Sequence, residues 1–375
     1  MKWLQRRSTV HEPRSCTPWA ALHVLLLVPL SPLLLGFATA DCECGYAATI
    51  DGMRHVFTDL LESDFTQTRD ISDNTDWRRQ GFNVSSERAR GDFGEMFVVD
   101  NVGSSGGGAE KGLQLIVQGQ KVDDMVPVAE VDSERADVLW GTFRASLKLT
   151  STPGTCAAFF WYYNDTAEID IEFLSKDFHT SNDSYPVNLV LQSRQAAEVG
   201  YNAVSTGNYI KASLPFNPTI DFHEYRFDFM PNRVLFYADN QLLGQMNGSA
   251  VPTTAGHLVL QHWSNGNSLW SGGPPATDAV LSVNYVKAYF NSSTLARNKD
   301  WARRCRDATA EHAVCEVPEI TATNSTPGQF FFSAQNNMTN NQTVSGKSAG
   351  QRLDYGWSAT VIGLVLACGT VLGLR

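Results

Sequence analysis

Short segments in which apolar and polar residues alternate one by one recur along this chain of 375 residues. Because successive side chains of a β-strand point to opposite faces, this alternation is typical of half-buried strands. Turn residues separate the segments, and long stretches of helical periodicity are absent. We predict strands at residues 112–117, 142–149, 157–163, 168–174, 187–192, 224–229, 233–237, 258–262 and 279–290.

One pair of these segments predicts a hairpin. Residues 233–237 and 242–243 flank the sequence Ala238-Asp239-Asn240-Gln241, which is typical of a tight turn between antiparallel strands. Many short strands over about 250 residues favour two packed sheets, as in a β-sandwich or a jelly roll. The predicted fold class is therefore all-β.

The charge of the chain limits its partners. The formal net charge is −10, and a nucleic acid requires a basic surface, so we expect no nucleic-acid partner. Hydrophobic residues make up 43 % of the chain and charged residues 18 %, which allows a packed core. An acidic surface is compatible with a neutral polymer such as a glucan, but also with many other ligands.

The first 40 residues resemble a secretory signal peptide. Basic residues precede an apolar run at 20–37, which ends in Ala38-Thr39-Ala40. We expect cleavage after Ala40, with an uncleaved anchor as the alternative. Sequons at eight asparagines support a glycosylated, extracellular protein: Asn83, Asn164, Asn182, Asn247, Asn291, Asn324, Asn337 and Asn341.

Residues 351–375 predict a second processing signal. An apolar run at 357–374 follows a spacer at 345–355 that is rich in small polar residues, which is typical of a GPI-anchor signal with Ser348 as a candidate attachment residue. A single membrane-spanning helix is the alternative, although only Arg375 follows the run. We therefore expect a monomer attached to the plasma membrane or cell wall through its C-terminal tail.

Three parts lie between these end signals. Residues 41–295 predict one globular domain, and residues 296–317 predict a short, charged cap that contains two cysteines. Residues 318–350 are rich in Ser, Thr, Asn and Gln and have little apolar content, a composition typical of a glycosylated stalk.

Five cysteines remain between the predicted signals, and secretion favours disulfides among them. Cys305 and Cys315 are close in sequence and form a plausible local pair, and Cys156 could then pair with Cys42 or Cys44. The odd number leaves one thiol free or paired between chains, and the sequence alone does not assign it.

The strongest candidate for chemistry is the segment Glu168-Ile169-Asp170-Ile171-Glu172-Phe173. In a strand its three acids share one face and its apolar residues share the other. Like charges held close together raise at least one carboxyl pKa, so one group can remain protonated while another is ionised. A glycosidase requires such a pair, with one carboxylate attacking the sugar and one acid protonating the leaving oxygen.

Three observations bear on this interpretation. The Cα atoms of Glu168 and Glu172 would lie about 13 Å apart along a strand, so their side chains must converge to act together. Alternating acids could also form a solvated face or bind a cation such as Ca²⁺. Nearby aromatic residues favour a sugar site, because aromatic faces stack on sugar rings: residues 159–163, Trp263 and Trp270.

These residues resemble glycoside hydrolase family 16. The Glu-Ile-Asp-Ile-Glu motif followed by Phe-Leu-Ser-Lys-Asp is similar to the catalytic strand of that family's licheninase and transglycosylase branches. Residues 140–143, 222–229 and 261–266 also resemble segments of the family, and the similarity covers about residues 50–290.

The resemblance implies a concanavalin-like jelly roll of two curved antiparallel sheets and a retaining endo-β-glucan hydrolase or transglycosylase that acts on cell-wall polysaccharide. Glu168 would be the nucleophile, Glu172 the general acid and base, and Asp170 a partner that maintains the charge of Glu168. Trp263 and Trp270 would line the sugar subsites. Trp161, from the aromatic run before the acids, is a further candidate for substrate binding. His262 could bind a sugar hydroxyl group or be a structural residue. No cofactor is required, although some family members bind a structural Ca²⁺, and no catalytic metal ligands are expected.

Two positions depart from the family pattern. Arg144 stands where many relatives have an acidic residue, and residues 187–192 lack an Asn-Tyr pair that licheninases present to the sugar. A non-catalytic carbohydrate-binding protein of the same fold is the alternative function.

Overall fold

The structure is a computed structural model that describes residues 40–105, 111–321 and 323–339. The predicted signal peptide and C-terminal anchor signal lie outside these residues, apart from Ala40. No helix in the described ranges is long and apolar enough to cross a membrane.

The described chain is built mainly from strands. Four short helices lie between them: α1 (Ser86–Ala89), α2 (Arg194–Glu198), α3 (Ala203–Thr206) and α4 (Leu295–Arg304). The strands are β1 (Gly45–Ile50), β2 (Met53–Phe57), β3 (Asp59–Asp64), β4 (Trp77–Arg79), β5 (Phe82–Val84), β6 (Gly94–Phe97), β7 (Val102–Ser105), β8 (Gly112–Val117), β9 (Met125–Ser133), β10 (Val138–Lys148), β11 (Cys156–Asn164), β12 (Ala167–Leu174), β13 (Pro186–Ser193), β14 (Tyr209–Ser213), β15 (His223–Met230), β16 (Arg233–Ala238), β17 (Gln241–Asn247), β18 (His257–Trp263), β19 (Ala279–Ser292) and β20 (Val314–Glu316).

Two large sheets form a jelly-roll sandwich, as predicted. The first has the order β17-β16-β15-β10-β19-β8-β7, with β3 also paired to β19. The second has the order β14-β13-β12-β11-β18-β9-β6-β5, with β4 also paired to β9. Pairing is antiparallel within both sheets except between β6 and β9. A small third sheet joins β2, β1 and β20.

The main hydrophobic core lies between the two large sheets. Phe143 and Phe227 contribute from the first sheet, and Phe159, Ile169 and Ile171 from the second, all fully buried. Because side chains alternate along each strand, every core residue of β12 places its neighbour on the outer face of the second sheet. We call this outer face the acidic face.

All nine predicted strand segments are confirmed, with boundaries that differ by a few residues. The predicted hairpin is confirmed as β16 and β17. Asp239 and Asn240 both have positive φ, at 44° and 64°. A two-residue type I′ turn requires this left-handed backbone, which asparagine and aspartate tolerate better than most residues.

The expected cysteine pairing is wrong. Cys42 is bonded to Cys315 and Cys44 to Cys305, so Cys305 and Cys315 are not a local pair. Cys156 is a buried free thiol. The two disulfides join the start of the domain to α4 and β20, because β1 and β20 lie side by side in the small sheet. The predicted cap at 296–317 is thereby fixed to the domain at both of its cysteines.

The predicted stalk also differs from the structure in its first part. Residues 318–321 and 323–339, which we call the C-terminal strap, pack on the outer face of the first sheet. Glu319 forms ion pairs with Arg144 and Arg226, at 2.8 and 2.7 Å. Lys287 donates hydrogen bonds to three strap carbonyl oxygens, those of Pro327, Gly328 and Phe330.

Apolar contacts add to this polar attachment. Phe331 packs with Tyr285, and Phe332 packs with Tyr46 and Tyr289. Composition did not predict this packing, because only a few residues of the strap enter the interface. The remaining predicted stalk, from 340 onward, lies outside the described residues.

Candidate active site

The three predicted catalytic acids lie together on the acidic face. Asp170 is buried, and Glu168 and Glu172 are partly buried on either side of it along β12. Ile169, Ile171 and Phe173 point into the core, as the alternation predicted. The core residues therefore fix the direction of the acids, because a register slip of one residue would exchange the two sets.

Burial raises the pKa of each acid, and repulsion from neighbouring carboxyls adds to the rise for Glu168 and Asp170. For Asp170 the rise is large, because burial is reinforced by the charges of Glu168 and Glu172. Burial also raises the pKa of Glu168, and a hydrogen bond with Asp170 opposes that rise. In this arrangement a protonated Asp170 donates to Glu168 and favours the carboxylate form of Glu168. The three groups titrate as a coupled set.

Glu172 has its own set of partners. Burial raises its pKa, and side-chain hydrogen bonds from Trp270 and Cys156 oppose that rise. Trp270 Nε1 and Cys156 Sγ lie 3.3 and 3.5 Å from the same carboxylate oxygen, Oε1. Asn188 on the neighbouring strand donates to the Glu172 backbone carbonyl at 3.4 Å, and Tyr209 donates to Asn188 at 2.7 Å.

An apolar surface lies beside the acids. Tyr162 and Phe160 on β11 pair with Glu168 and Asp170, so they share the acidic face. Together with Ala158 and Val259 they form a small cluster that is separate from the main core. Aromatic rings next to carboxyl groups suit a sugar ring, which has both apolar faces and hydroxyl groups.

A second group of carboxyls continues across the same face. Burial raises the pKa of Glu130 on β9 to about 8, with a contribution from Asp132. Burial likewise raises the pKa of Glu95 on β6 and of Asp132 to about 7. Gln261, on β18 between β9 and β11, donates a hydrogen bond to Glu130. In protonated form these acids can donate hydrogen bonds to hydroxyl groups.

One contact joins loops from opposite edges of this sheet. Arg90, at the end of α1 between β5 and β6, places its guanidinium 4.5 Å from the ring centre of Tyr201. Tyr201 lies in the segment between β13 and β14, at the other edge. Both residues have positive φ, at 57° and 63°, an uncommon conformation for side chains of this size. The charge of Arg90 also lowers the pKa of Glu168 and Glu172 against the larger effect of burial.

Two of the predicted substrate-binding residues are wrong. Trp161 is fully buried in the core, where its Nε1 donates to the Val138 carbonyl at 3.0 Å. His262 is also fully buried, 2.9 Å from both the Leu115 carbonyl and Thr155 Oγ1. Burial lowers the pKa of His262 to about 4, so its imidazole is neutral and structural.

The other two predicted residues lie on the acidic side of the sheet. Trp270 contacts Glu172, as described above, and Tyr209 at a ring separation of 6.3 Å. Trp263 pairs with Cys156 in register and therefore shares its face. Trp263 is partly buried against a cluster that includes Phe97 and Val128.

Several residues of the site were not predicted, although part of the signal is in the sequence. They are Cys156, Phe160, Tyr162, Glu130, Asn188, Tyr209, Arg90 and Tyr201. Alternate residues of the aromatic run at 159–163 face the core and the acidic face, and which of them lie beside the acids depends on the hairpin register. The register of this hairpin has an irregularity between Tyr162 and Asn164, and neither residue type predicts it.

In the ranges that the structure describes, no group of three or more His, Cys, Asp or Glu side chains could hold a metal ion. Glu168 and Asp170 are hydrogen-bonded to each other, and Glu172 accepts hydrogen bonds from Trp270 and Cys156.

The segment that carries the acids is similar in sequence to a known enzyme family. Residues 112–287 match the model of glycosyl hydrolases family 16, and this segment contains all three acids of β12. A beta-glucanase of Bacillus licheniformis is 27 % identical over 158 residues, which are 40 % of this chain and 58 % of that protein. A probable xyloglucan endotransglucosylase/hydrolase protein 27 of Arabidopsis thaliana is 28 % identical over 162 residues, which are 40 % of this chain and 44 % of that protein.

A solved structure gives the same fold. The endo-beta-1,3-glucanase from Pyrococcus furiosus aligns with a TM-score of 0.50 at 15 % identity, over 66 % of this chain and 99 % of that one. The chain spans about half the length of the curated relatives that it matches.

Proposed function

We propose that the chain is a retaining endo-β-glucan hydrolase or transglycosylase of family 16. The observation that carries the proposal is the placement of Glu168, Asp170 and Glu172 on one sheet face, partly or fully buried and beside aromatic side chains. Carboxyls in such surroundings hold protons near neutral pH, which a surface acid does not do.

The proposed chemistry assigns a different role to each acid. Glu168 attacks the anomeric carbon as a carboxylate, while Glu172 donates a proton to the departing glycosidic oxygen. Asp170 keeps its own proton and donates a hydrogen bond to Glu168, which favours the charged form of the nucleophile. Glu172, now ionised, then removes a proton from the incoming hydroxyl group, and Glu168 leaves the sugar.

The acceptor decides between hydrolysis and transfer. Water as acceptor gives hydrolysis, and a sugar hydroxyl group gives a new glycosidic bond with the same three acids. The Bacillus licheniformis relative is named for glucan cleavage and the Arabidopsis thaliana relative for both activities. We propose a neutral β-glucan of the cell wall as substrate, since the acidic protein would repel polyanions.

The proposed place of action is the cell surface. It rests on the predicted signal peptide at 1–40, the predicted GPI-anchor signal at 351–375 and the sequons. The two disulfides support it, because disulfides persist in oxidising compartments.

Product analysis tests the proposed activity. The full chain, expressed through a eukaryotic secretory pathway, would be incubated with laminarin, lichenan or xyloglucan, with and without a labelled oligosaccharide acceptor. We expect shorter glucan products that are lost in Glu168→Gln and Glu172→Gln. Label in longer chains would establish transfer.

A matched control is Glu316→Gln, because Glu316 is exposed on β20 and lies outside the second sheet. It should keep full activity. If the two active-site variants bound glucan and the wild-type chain released no product, the chain would be a carbohydrate-binding protein.

A further inference from the structure

Two hydrogen-bond donors meet on one oxygen of Glu172. The indole N–H of Trp270 and the thiol of Cys156 both point to Oε1, at 3.3 and 3.5 Å. An indole N–H can only donate, and a thiol next to a carboxylate oxygen donates its proton to it. Each donor occupies lone-pair density on Oε1. In the part of the chain that the structure describes, no protein hydrogen bond reaches Oε2.

The chemical consequence concerns the location of a proton. When Glu172 is protonated, its hydrogen cannot lie on Oε1 without displacing one of the two donors, so it lies on Oε2. We propose that Cys156 and Trp270 are positioning residues that keep Oε1 as an acceptor and direct the acidic proton of Glu172 to Oε2. This inference rests on the proposed function, in which that proton passes to the leaving sugar oxygen.

The position of Cys156 suits a permanent donor. Cys156 begins β11 and is fully buried, and its diagonal neighbour across the strand pair is Glu172, the partner of Ala158. Burial and the charge of Glu172 raise the pKa of the Cys156 thiol well above its ordinary value. The S–H group therefore remains protonated, and able to donate, throughout the range in which Glu172 titrates.

The two donors also explain why Glu172 is not held permanently neutral. Burial raises its pKa, whereas donors that contact the charged form favour that form and lower it. Glu172 must lose its proton in the first half-reaction and accept one in the second. Loss of a donor should therefore move the basic limb of the kcat/KM profile to higher pH, because the acid form then persists longer.

The test compares two substrates in four variants. One substrate is a glucan that the wild-type chain cleaves, whose leaving oxygen requires a proton. The other is a dinitrophenyl β-glycoside of the corresponding oligosaccharide, whose phenolate leaves without one. The variants are Cys156→Ala, Cys156→Ser, Trp270→Phe and, as the matched control, Trp301→Phe, since Trp301 lies on α4 and its indole N–H donates to the Cys44 carbonyl.

We expect Cys156→Ala and Trp270→Phe to lose about tenfold in kcat/KM on the glucan, a fraction of what general acid catalysis contributes. Cys156→Ala should keep the wild-type value on the dinitrophenyl glycoside, Trp270→Phe should lose less there than on the glucan, and both should shift the basic limb upward. Cys156→Ser should retain wild-type behaviour because its hydroxyl group also donates. Trp301→Phe should leave the basic limb in place.

Equal losses on both substrates, with an unmoved basic limb, would overturn the inference and give Cys156 and Trp270 a purely structural role. The same conclusion follows if Cys156→Ser behaves like Cys156→Ala while its thermal unfolding matches the wild type. Failure of the proposed function is distinguishable, because Glu172→Gln would then retain wild-type activity or the wild-type chain would have none. That result overturns both proposals.

Discussion

Replacement of Glu319 by glutamine tests whether the C-terminal strap is part of the folded domain. The Glu319 carboxylate accepts hydrogen bonds from Arg144 at 2.8 and 3.1 Å and from Arg226 at 2.7 Å. Arg144 is only 1 % exposed and Arg226 only 4 %. Glutamine keeps the size of the side chain but removes its charge, so two buried guanidinium groups would lose their shared counter-ion.

The magnitude follows from that loss. Breaking a buried ion pair by removing one partner typically costs about 3–5 kcal/mol. Glu319 itself is 29 % exposed, and Glu224 remains 3.9 Å from Arg144, so the lower end applies. We expect the free energy of unfolding to fall by about 3 kcal/mol and the Tm by about 6–10 °C.

The assay is thermal unfolding of the full chain, with Glu316→Gln as the control. Glu316 pairs with Arg54 at 2.7 Å, but both side chains are more than half exposed, at 65 % and 51 %. Such a surface pair contributes about 0–1 kcal/mol. Two exposed ion pairs would lower the Tm by roughly equal amounts when broken, within about 1 °C of each other. If the Glu319 and Glu316 variants differed by no more than that, the strap would not be energetically coupled to the first sheet.

Three further predictions concern carboxyl ionisation, surface charge and disulfides. Burial raises the pKa of Glu130 from 4.5 to about 8, so the contribution of Glu130 to stability is present below pH 4.5 and is lost as the pH rises to 8. Glu130→Gln should therefore raise the Tm at pH 8 and leave it unchanged at pH 4.5. Arg90→Ala should move both limbs of the kcat/KM profile to higher pH, because the charge of Arg90 opposes the effect of burial on the pKa of both catalytic glutamates. In 1 M salt the Debye length falls to about 3 Å, so the difference between this variant and the wild type should become smaller. Replacing Cys44 and Cys305 together by alanine should lower the free energy of unfolding in urea by about 2–5 kcal/mol, and an unchanged midpoint would contradict this account of the disulfide.

The strands and the acid triad could be predicted because both depend on local periodicity. One sheet face packs into the main core and the other does not, so the order of apolar and acidic residues at 168–173 indicates which side each residue faces. The turn at Asp239 and Asn240 is equally local, since two residues with a tolerance for positive φ are sufficient to close it. No information from distant parts of the chain is needed for either prediction.

The aromatic residues of the site required the register between neighbouring strands. Trp161 was predicted to bind substrate because it is large and lies near the acids in sequence. It pairs with Ile169, a core residue, whereas Tyr162 pairs with Glu168. The residue beside the acids is therefore Tyr162, one position after the predicted Trp161. The register irregularity lies just beyond it, between Tyr162 and Asn164.

The same limitation explains Arg144, which departs from the family pattern. Arg144 lies on the first sheet and points away from the core, toward Glu319, which is 175 positions later in the chain. A buried arginine is unfavourable unless a charged partner lies beside it, so Arg144 and the strap depend on each other. The low apolar content of residues 318–350 predicted a stalk, and the strap is the first part of that segment. A segment that binds through one carboxylate, several carbonyl oxygens and two phenylalanines needs little apolar content, because the partner sheet already supplies Arg144, Lys287 and the tyrosine rings.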